Sequence, residues 1–530
     1  MKTAGTISLV FLLAAVCAAE GIDLGGLKVE QERLAPWRPG IEGGIPAVPV
    51  QIDARKYGAV ADDKTDNSPF IQRAINAVKP PGAVLLPAGT YLLRETLHLK
   101  PGVVLRGEDR NKTTLNFRYY DRRKKRWLYP PVIRIAPGGE GWDPRFIEKH
   151  QEIDVPLKES YERGKRQVTT FNPSRLQAGQ YVAIVANNDP VVHNTTEPWL
   201  HKSWYDKVNI IGQVLKITKV DGPSISIDRP LYREWRMKMM PRLRPLTVIE
   251  RAGVENLHII TKQSGHVIDI KNAVECWVKN CHLEYSTRTH VSVSASLRVV
   301  VRDNYIHHGH SYDGGDAYGV WLGHWSSDCL VENNTFDNLR HSMVTTLGAC
   351  GNVFGYNSST NSRHPGKADD LCQHGFYSYA NLFEGNVGIQ AVFSDYWGPL
   401  GPYNTCYRNR LTKGILVRDS THYTNILANS LIGGEIKVET SCREAWNEKN
   451  LLVFTNDTPT PPGTDGLAGN LEGEVTEVFP PPEWKIPASL YLKQKPSFWG
   501  TRPWPGIGAE VDLDAVRERK PFPLIPSQQK

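Results

Sequence analysis

Two stretches of the chain concentrate the side chains that move protons and hold charge. The first, residues 306–318, includes His307, His308, His310, Tyr312, Asp313, Asp316 and Tyr318. The second, residues 359–374, carries Arg363, His364, Lys367, Asp369, Asp370 and His374. Arg340 and His341 lie between them, and Asp395-Tyr396-Trp397 and Arg418-Asp419 lie beyond. Such a set suits acid–base and charge-stabilising catalysis. In β-elimination on a uronate polymer, a base removes the proton beside the carboxylate, a cation neutralises that carboxylate and an acid protonates the leaving oxygen. His341 or His374 would be the base, Arg340 or Arg363 the carboxylate partner, and Tyr312 or Tyr318 the acid. In hydrolysis two carboxylates flank the scissile bond. Asp313 or Asp316 with Asp369, Asp370 or Asp395 would supply them. The expected catalytic set is therefore His341, His374, Arg340, Asp316, Asp313, Tyr318 and Asp395. Trp321, His310, Arg363, Lys367, Tyr396, Trp397 and Trp204 are the expected substrate contacts, because aromatic faces stack on sugar rings and polar groups bond hydroxyls and carboxylates.

Residues so far apart meet only if the backbone returns to the same place, and the sequence repeats in a way that makes it return. An apolar residue, one or two further residues and then Asn recur at Asn256, Asn280, Asn304, Asn334, Asn357, Asn386, Asn409 and Asn429. Successive spacings are 24, 24, 30, 23, 29, 23 and 20 residues. A period in the low twenties, filled with short β-branched and aromatic runs, marks a stacked repeat. One coil of a parallel β-helix, three short strands and three turns, suits that length. Asn fits its corners through left-handed backbone angles and hydrogen bonds to Asn in the next coil. The two long spacings are the coils that hold the two reactive stretches, and loops inserted on a rigid scaffold are where function gathers. The fold expected is all-β: a right-handed parallel β-helix solenoid with an N-terminal capping helix and an inserted small β subdomain.

The passage Tyr57-Gly58-Ala59-Val60-Ala61-Asp62-Asp63-Lys64-Thr65-Asp66-Asn67, followed by an amphipathic helix with Ile71, Ala74, Ile75 and Val78 on one face, predicts the cap. Asp66 or Asn67 would cap this helix, with Pro69 in its first turn. Over Ile52–Leu115 this text resembles the entrance of the pectate-lyase-like superfamily; over Val254–Gly434 the resemblance is one of periodicity. It implies the β-helix fold. It leaves the chemistry open, because that superfamily includes lyases, glycosidases, epimerases, phage tailspikes and non-catalytic binders. Polygalacturonase-type members carry Asn-Thr-Asp, Asp-Asp and Gly-His-Gly on successive strands. Here Asp369-Asp370 alone matches, and His308-Gly309-His310 departs from the pattern.

The remaining segments follow from composition. Lys2, an apolar run from Ile7 to Ala15 and small residues to Ala19 predict a signal peptide over 1–19, hence a secreted or periplasmic protein. Residues 20–49 are an extended lead-in, 50–117 the cap and first coils, and 251–455 the main coils. Between them, 118–250 holds the inserted subdomain, whose Asp221-Gly222 signals a hairpin. Residues 456–530 are a Pro-rich tail expected to cover a sheet edge. A net charge of +7 with no basic block of nucleic-acid type argues against a nucleic-acid partner, and no later run is apolar enough to span a bilayer. The expected partner is a polysaccharide, with homo-oligomerisation left open. No metal site has diagnostic spacing and no cofactor is required, although Ca2+ is not excluded. The expected function is polysaccharide cleavage by a lyase, with a glycoside hydrolase or a non-catalytic glycan binder as the alternatives.

Overall fold

The computed structural model describes residues 24–119, 129–137, 153–188, 209–363, 369–394, 397–453, 486–501 and Trp504. The expected signal peptide lies outside the described residues, as do His364, Lys367, Asp395, Tyr396 and Trp204. The chain is a right-handed parallel β-helix. A twelve-stranded parallel sheet forms one wall, and a twenty-stranded sheet wraps a corner so that most coils give it two strands.

The register shows why these sequences coil. Val254, Val278, Val301, Val331, Phe354, Phe383, Cys406 and Ile426 are successive partners in the twelve-stranded sheet, and all are buried. In-register parallel strands lie about 4.8 Å apart, which sets the rings of Phe354 and Phe383 4.9 Å apart and nearly parallel. Each such side chain contributes roughly 1.5–3 kcal/mol of hydrophobic stabilisation.

Inside one corner an asparagine ladder runs through Asn304, Asn334, Asn357, Asn386, Asn409, Asn429 and Asn450. Each Nδ2 donates to the next Oδ1 at 2.9–3.0 Å. The same Oδ1 accepts a backbone N–H from the previous coil, so the buried amide is satisfied on both sides. The left-handed turn residue is the one before the ladder asparagine: Asp303 (φ 61°), Tyr356 (55°), Arg408 (53°) and Ala428 (53°) among them. Asn256 and Asn280 occupy that turn position themselves, with φ 56° and 52°. The ladder position beside Asn280 is filled by Cys281, whose backbone N–H bonds Asn304. The sequence repeat therefore slips by one residue between Asn280 and Asn304, and the true step there is 23.

Helix α1, Ser68–Ala77, closes the first coil with Ile71, Ala74 and Ile75 facing inward. Asp66 caps it through the Ser68 N–H (3.1 Å), while Asn67 turns its amide back onto the backbone of Val60. The inserted subdomain is a six-stranded antiparallel sheet, and Asp221 pairs with Ser224 across its tight turn. Its core continues into Leu347 and Phe376 of the solenoid, with Trp321 and Trp397 half-buried at the junction. Trp325 Nε1 donates to Asn209 O (2.7 Å), and Tyr379 donates its hydroxyl hydrogen to Gly212 O (2.9 Å).

The two ends of the described chain lie on the outer surface of the twelve-stranded sheet. Trp37 donates to Ala380 O (2.8 Å), and Leu34 packs among Leu382, Tyr407 and Leu427. From the other end, Tyr491 bonds Glu332 (2.9 Å), the Leu490 N–H bonds Glu384 (2.9 Å) and Trp499 packs on Tyr356. Here the tail covers a sheet face rather than the edge expected, because Glu332, Glu384 and Tyr407 lie in one outward column of register partners, with Gly355 between the two glutamates. Among the described residues no helix is long and apolar enough to cross a membrane. Among the described residues no disulfide forms, and six of the seven described cysteines are buried.

Candidate functional site

The strands Tyr318–Gly323, His341–Thr345 and Leu371–Gln373 lie side by side, each starting directly after a turn. Tyr318 pairs with His341, and Val344 with Cys372. Left-handed Ala317 (φ 52°) and Asn338 (54°) aim the chain into the first two strands, and the Arg340 N–H bonds Ala317 O (3.0 Å). Thus Tyr318, Arg340, His341 and His374, drawn from three coils, stand at one corner.

Their contacts form a connected set. Arg340 Nη1 donates to the Tyr318 hydroxyl (3.0 Å), which lies 3.3 Å from His374 Nε2. Arg340 Nε is buried and has no hydrogen-bond partner among the described residues. His341 Nδ1 lies 2.9 Å from Asp369 O. A carbonyl only accepts, so the proton sits on Nδ1 and Nε2 carries the lone pair. The rings of His341 and His374 are 5.8 Å apart, and His374 lies 5.7 Å from Trp397. Tyr318, Arg340 and His341 are buried and His374 is half-buried. Trp321 and Trp397 form the side toward the subdomain.

Other expected residues are placed differently. Asp313 is exposed, and its carbonyl accepts the N–H of Asp316, which is itself buried. Asp370 is sealed inside, accepting from Ser359 (2.8 Å) and the Ile389 N–H (2.6 Å). Burial raises its pKa. A hydrolytic pairing of Asp313 with Asp370 is therefore disfavoured, since Asp313 faces water and Asp370 faces the interior. Tyr312 donates to Asn338, and Arg363 stacks over its ring at 5.7 Å, which braces the turn before Arg340. His310 lies toward another strand, bonding Thr261 O at 2.8 Å. A cavity of about 510 Å³ lies elsewhere, beside α1, lined by Ser68, Gln72, Arg94, Thr96, His98 and Tyr119. It contains none of the candidate residues.

Two features escaped the sequence reading. Cys372 stands 3.8 Å from His374 Nδ1, and its outward position follows from strand alternation. The second is a histidine cluster on the neighbouring face, made of His258, His282 and His307 with Glu284. Their signal was available: His258 and His282 are one coil apart, in register. Among the described residues, two groups have metal-ligand spacing, His341–Cys372–His374 and His258–His282–Glu284. Their nitrogen and sulfur donors do not suit Ca2+, which takes oxygen ligands.

Residues 51–126 match the family described as rhamnogalacturonase A/epimerase, pectate lyase-like. Residues 248–396 match the right-handed β-helix region. No curated protein sequence matches the chain. Among solved structures, the tailspike protein gp49 of Pseudomonas phage LKA1 is similar over 77% of this chain and 79% of its own, with TM-score 0.54 and 12% identity. The A-module of the Azotobacter vinelandii mannuronan C-5 epimerase AlgE6 covers 77% of this chain and 100% of its own, at TM-score 0.35 and 11% identity. For PfbA, a surface adhesin of Streptococcus pneumoniae, the shares are 77% and 93%, the TM-score 0.38 and the identity 13%. At 12% identity the likeness to the tailspike is one of fold.

Proposed function

Since the chain belongs to the pectate-lyase-like superfamily of right-handed β-helices, we propose that it is a secreted polysaccharide lyase. It would cleave a uronate-containing polymer by β-elimination at the Tyr318–Arg340–His341–His374 corner. The observation that carries this reading is the Tyr318 hydroxyl held between the Arg340 guanidinium and the His374 imidazole.

Each part has a task. The substrate carboxylate would pair with the Arg340 guanidinium, and the cation stabilises the charge that forms when the adjacent carbon loses its proton. His374, the half-buried imidazole, takes that proton. Electrons flow into a new carbon–carbon double bond, the bond to the leaving oxygen breaks, and Tyr318 gives that oxygen its hydrogen. The phenolate so formed is held by Arg340, and protonated His374, 3.3 Å away, returns the proton to it. One proton moves from carbon to oxygen overall, and both groups act from one face, so the elimination is syn. His341, fixed by the Asp369 carbonyl, flanks the Tyr318 ring at 5.2 Å and keeps it upright. Trp321 and Trp397 offer apolar faces for neighbouring sugar rings.

The test is a panel of uronate and neutral polysaccharides assayed together for unsaturated-uronate absorbance and for reducing ends. Both signals should rise on a uronate polymer. Reducing ends alone would replace the lyase with a hydrolase, and neither signal on any polymer would leave a glycan binder.

A further inference from the structure

We propose that His258, His282, Glu284 and His307 form a binding site for a divalent transition-metal cation of the zinc class, separate from the Tyr318–His374 corner. The four residues come from three consecutive coils. His258 and His282 are register partners, as are Glu284 and His307, so the side chains occupy outward positions on adjacent strands.

Their donor atoms converge. His258 Nε2 lies 2.6 Å from Glu284 Oε1, His307 Nε2 lies 3.8 Å from Glu284 Oε2, and His282 Nε2 lies 2.6 Å from His307 Nε2. A tetrahedral zinc ion with bonds of about 2.0–2.2 Å separates its ligand atoms by roughly 3.3 Å, a value these contacts bracket. Three imidazoles and one carboxylate suit zinc and its neighbours rather than calcium or magnesium. The carboxylate also offsets part of the cation's charge where Glu284, His282 and His307 are buried. His307 Nδ1 lies 2.7 Å from His308 Nδ1, an outer contact that orients its ring. His258 is half-buried and gives the ion an approach from solvent. A bound ion would tie three coils together where the first long insertion leaves the solenoid.

The experiment strips the full-length protein with a chelator, dialyses it against Zn2+ and counts the retained metal, with Co2+ absorption as a second readout. His282→Gln and His307→Gln should each weaken zinc binding tenfold or more, on the order expected for loss of a ligand or its support. His374→Gln and Cys372→Ser should leave binding at this site unchanged, and the Co2+ spectrum should lack a thiolate charge-transfer band. Should His282→Gln fail to fold, His258→Gln takes its place, read as loss of the Zn2+-induced rise in melting temperature. Failure of the wild-type protein to retain metal would overturn the proposal, leaving a hydrogen-bonded imidazole chain. Binding that survives His282→Gln and disappears in Cys372→Ser would overturn it in favour of the other group.

Discussion

The outer surface of the solenoid holds two sets of titratable side chains built by the same register and put to opposite use. On the twelve-stranded sheet, Glu332 and Glu384 recur at one outward position and are covered by the chain's own tail through Tyr491 and the Leu490 N–H. At the corner of the twenty-stranded sheet, Tyr318 and His341 also recur in register, but no terminal segment covers them in the described structure. There His374 remains half-buried and Arg340 keeps a buried donor with no partner among the described residues. Stacking coils brings polar residues together in either case. Whether they serve the fold or a ligand depends on what finally bonds them.

Substitutions should separate the two faces. The largest effect is expected at the corner: Tyr318→Phe or His374→Gln should lower kcat/KM on the cleaved polymer by about 10²–10⁴-fold. Melting temperature should stay near that of wild type, and equal losses of stability would place these residues with the structural set. The covered face should give the reverse result. Trp499→Ala, which empties a buried site against Tyr356 and Val387, should cost about 3–5 kcal/mol in denaturant unfolding. The activity of the folded fraction should not change.

Glu384 sharpens the contrast through pH. Burial raises its pKa from 4.5 to about 7, so the fold favours the protonated carboxyl. Its contribution is therefore complete below the unfolded value of 4.5, is lost as pH rises through about 7 and is level above that. Glu384→Gln should flatten this part of the stability–pH profile and be the more stable protein above neutrality, by a difference on the order of 3 kcal/mol. A profile unchanged by the substitution would mean that the carboxylate is ionised under the tail. The smallest effect should come from Asp313→Asn. This residue is exposed, so kcat/KM should stay within about twofold of wild type.

The coiling itself was legible because every coil must place an apolar residue and then a turn at the same phase, as Val278, Val301 and Val331 do. Phase did not tell inside from outside at the corners. Asp369 and Asp370 are adjacent in sequence, yet the Asp369 carbonyl orients His341 while the Asp370 carboxylate is sealed among Ser359 and the Ile389 N–H. Nor did it show the one-residue slip before Asn304, since Cys281 fills a ladder position without resembling asparagine. The cluster of Tyr318, Arg340, His341 and His374 was legible through the two long spacings that flank it. His258 and His282, which stand beside His307, were overlooked because they lie outside the long loops, although their coil-length spacing was in plain view.

The most direct test of the proposed chemistry is the structure of His374→Gln bound to an oligosaccharide of the polymer on which the wild-type protein gives the unsaturated-uronate signal. The uronate carboxylate should lie on Arg340, the leaving oxygen within hydrogen-bond reach of Tyr318, and the carbon beside the carboxylate facing residue 374. A sugar chain bound instead along His258 and His282, or with its carboxylate turned away from Arg340, would contradict the account.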